Sequence, residues 1–312
     1  MSPSYAELHC LSNFTFLRGA SHAEELVERA VRLGYSALAI TDECSLAGVV
    51  RAHAAAKNTG LKLIIGAEFR LTPHPGPLPG AEREKTLSPP GTGRDNLRLV
   101  LLAQNRQGYG NLSELITRGR RNAKKGEYRL SREDLGAGLD HCLALWLPPA
   151  APRIEDARWL AERFPGRTWI AVELLARGGD WDRLAALQDM GRRTGLPCVA
   201  CGDVHMHVRG RRALQDVLTA IRLGVTVART GGALYPSGER HLRRYEILER
   251  IYPAALLQET LRIAERCNFS LTELRYEYPE EIVPDGETPA QYLRRLVEEG
   301  LRWRYAPAGT RR

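Results

Sequence analysis

The feature that most constrains the fold of this 312-residue chain is an alternation. Short, continuously apolar runs are separated by stretches with helical spacing. The apolar runs begin at Tyr5–His9 and continue as ALAITD, KLIIGAEF, RLVLLAQ, CLALWL, TWIAVEL and PCVACGD. Helical patterns fall at Ser21–Leu33, Leu46–Thr59, Tyr109–Arg121, Ile154–Phe164, Trp181–Thr194 and Arg211–Leu223. In the first of these, Ser21 and Glu24 form an expected capping box, and Gly60 is expected to stop the second. Apolar strands that alternate with helices imply a parallel sheet covered on both faces. Seven such strands, six of them followed by a helical stretch, favour closure into a (β/α)7 barrel of the TIM-like kind over an open sheet.

The rhythm breaks once. Residues 72–96, TPHPGPLPGAEREKTLSPPGTGRDN, are dense in Pro and Gly and have no apolar period. They read as a disordered surface insertion between the third and fourth strands, with His74 as a loop residue. A first domain is therefore expected over 1–225. Residues 226–312 read as a helical extension with a linker, RYEYPEEIVPDGETP, before a last amphipathic helix. That helix begins a new run and soon stops, which suggests a missing domain beyond it.

Composition adds a few bounds. A hydrophobic share of 43% with 26% charged residues fits a globular chain with a real core. The start, MSPSYAELH, has no signal-peptide pattern, and the run CLALWLPPAA is broken by Pro148 and Pro149. The chain is read as cytoplasmic, with no membrane partner. Its net charge of +8 is borne mostly by arginine. Two clusters are candidate nucleic-acid contacts: Arg118, Arg120, Arg121, Lys124 and Lys125, then Arg209, Arg211 and Arg212. The plainer reading of both is a solvated surface. Cys198 and Cys201 make a CxxC, but within a strand they face opposite ways, which argues against zinc or redox use.

Ionisable residues collect at strand ends. His9 ends the first strand, Asp42 and Glu43 the second, and Glu68 the third. Glu173 lies near the end of the sixth, and Asp203 and His205 end the seventh. In parallel barrels this end carries the chemistry. Carboxylates and imidazoles gathered there suit Zn²⁺, Mn²⁺ or Fe²⁺, which would activate water against a phosphoester. Taken singly, each has a structural alternative: Asp42 and Ser45 as helix caps, Glu68 in an ion pair, His9 as a core histidine.

The segments ELHCLSNFTFLRGAS, LAITDECSLAGVVRAHAAAK, LLAQNRQGYGNLSELIT and GLPCVACGDVHMHVRGRRALQDVLTAI resemble the PHP (polymerase and histidinol phosphatase) domain of bacterial DNA polymerase III alpha subunits. The run from GERHLRRYEILERIYP to RYEYPEEIVPDGETP is most similar to the error-prone, translesion branch. The resemblance implies a distorted (β/α)7 barrel joined to a polymerase core. Metal-binding members carry HxH on strand one, and here it reads His9-Cys10-Leu11. Their Thr-Asp-His reads Thr41-Asp42-Glu43, while Leu147-Pro148-Pro149 offers no ligand after strand five. Glu68, Asp203 and His205 match. A degenerate site for one divalent metal (Zn, Mn or Mg) is thus implied at His9, Asp42, Glu43, Glu68, Asp203 and His205.

The implied function is that of a structural PHP domain in a DNA-directed DNA polymerase of replication and repair. Mg²⁺ would belong to the absent polymerase domain. Implied partners are DNA, the polymerase core and other translesion or replication proteins. The competing reading is a metal-dependent phosphoesterase or 3′–5′ exonuclease, and a third is an inactive truncated product.

Overall fold

The computed structural model describes residues 5–72, 97–136, 139–274 and 283–305. The expected insertion from residue 73 on, His74 with it, and linker residues 275–282 lie outside the described residues.

Seven strands pair in chain order: β1 (Ala6–Glu7), β2 (Ala37–Ile40), β3 (Lys62–Leu71), β4 (Leu97–Ala103), β5 (Cys142–Leu147), β6 (Thr168–Glu173) and β7 (Cys198–Cys201). Helices α1 (Ala23–Arg32), α2 (Val49–Ala56), α3 (Arg106–Arg121), α4 (Ile154–Arg163), α5 (Asp180–Thr194) and α6 (Arg212–Leu223) follow β1, β2, β4, β5, β6 and β7. The sheet comes round on itself where Cys10 bridges Val204. There the Leu11 N–H donates to the Val204 carbonyl at 2.8 Å, and the Val204 N–H to the His9 carbonyl at 2.9 Å. The expected distorted α/β barrel is present.

One expectation is corrected. The sheet is not wholly parallel, because β4 runs antiparallel to both β3 and β5. A parallel neighbour needs a crossover that covers the sheet, usually a helix. The Pro/Gly stretch before β4 has no apolar period with which to do this, and the strand returns in the opposite sense. As a result the start of β4, not its end, lies with the carboxyl ends of its neighbours. The expected capping box is also displaced. His22 caps α1, its N–H donating to Glu25 at 2.9 Å. Ser21 instead meets His207, with Oγ 2.7 Å from Nδ1 and accepting from the His207 N–H at 2.9 Å.

Side-chain alternation builds two cores. Ile64, Val100, Leu102, Leu143, Leu145, Trp169, Ala171, Val199 and Cys201 form one cluster inside the barrel. Ile65, Phe69, Leu99, Leu101, Ala144, Ile170 and Ala200 face outward into the layer shared with Leu26, Val27, Leu112 and Leu160 of the helices. Cys201 falls in the inner cluster and Cys198 against the outer one, so strand geometry separates the CxxC pair.

Beyond the barrel helices lie α7 (Tyr245–Ile251) and α8 (Ala254–Arg266). Ile263, Ala264 and Cys267 join the inner cluster. The Ala6 N–H donates to Thr260 Oγ1, and Lys62 Nζ to the Ala264 carbonyl at 2.7 Å. Since Ala6 and Lys62 start their strands, α8 covers the amino end of the barrel. Residues through Glu273 form one compact unit, and those from Leu274 a second. In the second, α9 (Pro289–Tyr305) exposes Leu293, Leu296, Val297 and Leu301.

At the opposite, carboxyl end, residues 12–20 turn back over the mouth. The Ala20 N–H donates to the His205 carbonyl at 2.7 Å, and the Asn13 N–H to the Ser21 carbonyl at 2.8 Å. Gly19 is pressed against the Ser12 backbone, and a Cβ there would overlap the Ser12 carbonyl. Backbone on both sides leaves no side chain to yield. Gly19→Ala should therefore destabilise by about 2–3 kcal/mol, lowering Tm by roughly 5 °C or more. Gly60→Ala meets no neighbour but holds a positive φ of 77°, and should cost about 1 kcal/mol. Differential scanning calorimetry of the two variants checks the order.

Candidate metal centre at the barrel mouth

The period-two alternation that fills the barrel also sets its mouth. Continuing the inward rows gives Glu68 after Ile64 on β3, Glu173 after Trp169 and Ala171 on β6, and Asp203 after Val199 and Cys201. On reversed β4, the residue before Val100 and Leu102 on the inward row is Arg98. Apolar layers thus give way to charge at one level. On β5 that level is Leu147, also a member of the inner cluster.

His9 is the hub. It is fully buried, with Nε2 3.0 Å from Glu68 Oε2, Nδ1 3.1 Å from Glu173 Oε1 and 3.8 Å from Asp203 Oδ1. Burial alone would lower its pKa. Hydrogen bonds to Glu173 and Glu68, with the Asp203 charge, outweigh burial and push it up to about 10. His9 is therefore an imidazolium at neutral pH. His205 behaves oppositely. Burial lowers its pKa to about 4 against the pull of Asp203. Gln215 Nε2 lies 2.8 Å from its Nδ1, and its Nε2 lies 2.9 Å from Asp203 Oδ1, which fits a neutral ring donating to Asp203.

Every mouth carboxylate has a cation. Glu68 Oε1 accepts from Arg18 Nη1 at 3.1 Å and from Arg98 Nη2 at 3.0 Å. Glu43 accepts from Arg18 Nη1 and from the Tyr128 hydroxyl, the latter at 2.9 Å, with Arg70 at 3.5 Å. Asp203 Oδ2 accepts from Arg240 Nε at 2.8 Å. Burial would raise all three carboxyl pKa values. For Glu68 the charges of Arg18 and Arg98, and for Asp203 that of Arg240, hold them well below the usual range. Arg18 likewise holds Glu43 below its ordinary value. Asp203 itself has a φ of 43°, left-handed for a non-glycine residue, a strain that the surrounding contacts must offset.

Of the residues singled out from sequence, His9, Glu43, Glu68, Asp203 and His205 meet at this mouth, directly or through Arg18. Asp42 meets them only through its backbone, its carbonyl accepting from the Glu68 N–H at 3.2 Å, and its carboxylate bonds elsewhere. Its Oδ1 accepts from the Ser12 N–H at 2.8 Å and the Thr15 hydroxyl at 2.7 Å, and its Oδ2 from the Ser12 hydroxyl at 2.7 Å. It pins the 12–20 loop and caps no helix; the residue before α2 is Gly48. Glu173, noted only as lying near a strand end, is the third member of the group whose ligand atoms come within 4.8 Å of one another: His9, Glu173 and Asp203. Sequence reasoning missed Arg18, Arg98 and Arg240. The alternation in RLVLLA would have found Arg98; Arg18 and Arg240 sit in loops, where no period applies.

The basic clusters separate similarly. Arg118 bonds Glu114, Arg209 Glu239, Arg211 Glu25 and Arg212 Asp216. Arg120 donates to the Cys44 carbonyl and lies over the Tyr128 ring. Arg121, Lys124 and Lys125 are exposed.

A family model described as the PHP domain matches residues 7–191. An error-prone DNA polymerase of Methylococcus capsulatus is 60% identical over 302 residues, covering 96% of this chain and 27% of that protein. Another, from Dechloromonas aromatica, is 58% identical over 312 residues, covering 98% of this chain and 28% of that one. The chain thus spans little more than a quarter of these relatives' length. The solved structure of an amidohydrolase from Chromobacterium violaceum aligns with a TM-score of 0.47 and 16% identity, over 64% of this chain and 87% of that one.

The His9 shift sets a pH dependence. A folded pKa raised from 6.5 to about 10 gives stability that is complete below pH 6.5 and lost as pH rises toward 10. His9→Gln should be less stable than the wild type at pH 6.5, and the gap should narrow steadily toward pH 10. Urea unfolding across that range measures it; a constant gap would show that His9 is not charged.

Proposed function

The chain belongs to the PHP domain family, and from that premise we propose that it is the PHP portion of a longer error-prone DNA polymerase, in which it serves as a structural domain. The observation that carries this reading is the 60% identity over 96% of the chain to an error-prone DNA polymerase. In the intact protein the reaction would be template-directed nucleotide addition, with Mg²⁺ bound by the polymerase core. The first domain at 1–225 would be joined through 226–312 to that core. The core and DNA are the expected partners, with exposed Arg121, Lys124 and Lys125 the natural phosphate contacts. No described helix is long and apolar enough to cross a membrane; we place the protein in the cytoplasm with its DNA.

The mouth supports a structural role over a hydrolytic one. Its carboxylates are neutralised by arginine and His9⁺, and Leu11, itself fully buried, brings no lone pair where a second imidazole would stand. The residues present fit at most one ion. His9 Nδ1, Glu173 and Asp203 would hold it, with His205 beside Asp203, and the His9 proton would have to leave first. Zn²⁺ or Mn²⁺ suits such a mixed imidazole–carboxylate set. A bound ion would lower the pKa of a water and favour phosphoester hydrolysis, the second reading, which the grouping of these three residues alone favours.

Elemental analysis and a nuclease assay on single- and double-stranded oligonucleotides separate the two. The structural role predicts substoichiometric metal and no cleavage that Asp203→Ala abolishes. One tightly held ion per chain, together with cleavage that disappears in that variant, would establish the hydrolase instead.

A further inference from the structure

We infer that Arg18, braced by Arg98, is a built-in cation standing where a divalent ion would sit between Glu43 and Glu68, and that its removal unmasks a latent metal site there. The inference rests on the structural reading above and concerns the opposite side of His9 from Glu173 and Asp203.

Glu43 and Glu68 are joined by a parallel β-bridge between the ends of two strands, and their side chains share one guanidinium. Two adjacent carboxylates in a buried place repel, and each must be neutralised or protonated. Arg18 sits between the two carboxylates, with Arg98 and His9 also on Glu68 and Arg70 also on Glu43, so positive charge reaches both without an ion. The lone pairs are taken as well. Glu68 accepts from Arg18 Nη1 and Nη2 at 3.1 and 3.2 Å, from Arg98 Nε and Nη2 at 3.3 and 3.0 Å, and meets His9 Nε2 at 3.0 Å. Tyr128 and Arg70 complete Glu43.

Arg18 is also held in place. It is 6% exposed, and its N–H donates to the Thr15 carbonyl at 3.1 Å. Thr15 in turn is anchored to Asp42 and receives the Glu43 N–H at 3.0 Å. The loop therefore delivers the guanidinium to the carboxylates as a fixed part of the fold. A guanidinium supplies charge and planar hydrogen bonds but has no open coordination position, so it cannot polarise a water as a metal does. The Glu43–Glu68 half keeps the electrostatic service of an ion and loses its chemistry.

Arg18→Met tests this in the whole chain. The variant should lose about 6–10 °C in Tm, the scale for stripping one partner from a buried pair. Mn²⁺ or Zn²⁺ should restore most of that loss, and titration calorimetry should show binding at least about tenfold tighter than in the wild type. Restoration should persist in Arg18→Met/Glu173→Gln and vanish in Arg18→Met/Glu43→Gln. If Arg18→Met cannot be obtained folded, refolding with and without Mn²⁺ gives the same reading: Glu43-dependent recovery supports the inference. No restoration or recovery by metal, or restoration that needs Glu173 and not Glu43, overturns it. Failure of the structural reading would appear elsewhere, as Asp203-dependent cleavage by the wild type.

Discussion

Sinking several carboxylates into one end of a barrel costs more than the barrel can offset unless positive charge is sunk with them. Glu68, Glu173 and Asp203 surround a fully buried His9, with Glu43 joined to them through Arg18, and the arrangement persists because Arg18, Arg98, Arg240 and the imidazolium share the deficit. The rest of the structure serves this neutralisation. The 12–20 loop exists in its folded form because Asp42 gathers Ser12 and Thr15, and that loop brings in Arg18. The segment after α6 returns Arg240 to Asp203, where the guanidinium also lies 4.1 Å from the Tyr235 ring centroid. Tyr235 meets the His205 ring edge-on at 5.2 Å, closing that side.

Topology and electrostatics are linked through β4. Had it run parallel, its first residues would lie at the amino end, beside α8, and Arg98 could not reach Glu68. The absence of apolar periodicity before β4 thus bears on the charge of the mouth: a reversed strand delivers a guanidinium to a mouth otherwise built from strand carboxyl ends. At the other end, α8 seals the inner apolar cluster with Ile263, Ala264 and Cys267. One end of the cylinder is closed by packing and the other by ion pairs.

Much of this was legible in the chain. Strand alternation and continuous apolar runs marked all seven strands, and the rule that polar residues gather at strand ends pointed to His9, Glu43, Glu68, Asp203 and His205. What escaped has definable causes. Strand direction at β4 depends on whether a connection can cover the sheet, which a list of apolar runs does not record. Ser21 and Asp42 looked like caps because their types favour caps; tertiary neighbours, His207 and Ser12, claimed them first. Arg18 and Arg240 are loop residues, and loop side chains have no period from which a direction can be read. Cation-replacing arginines are the hardest to foresee, since a metal site is sought by its ligands and not by what has displaced the ion.

The central claim is that guanidinium, not metal, neutralises the Glu43–Glu68 pair. Crystals of the wild-type chain grown with Mn²⁺, examined by anomalous diffraction, test it most directly. The account predicts Arg18 bridging Glu43 and Glu68 with no anomalous density between those carboxylates. An anomalous peak there, with the Arg18 side chain displaced into solvent, would contradict it.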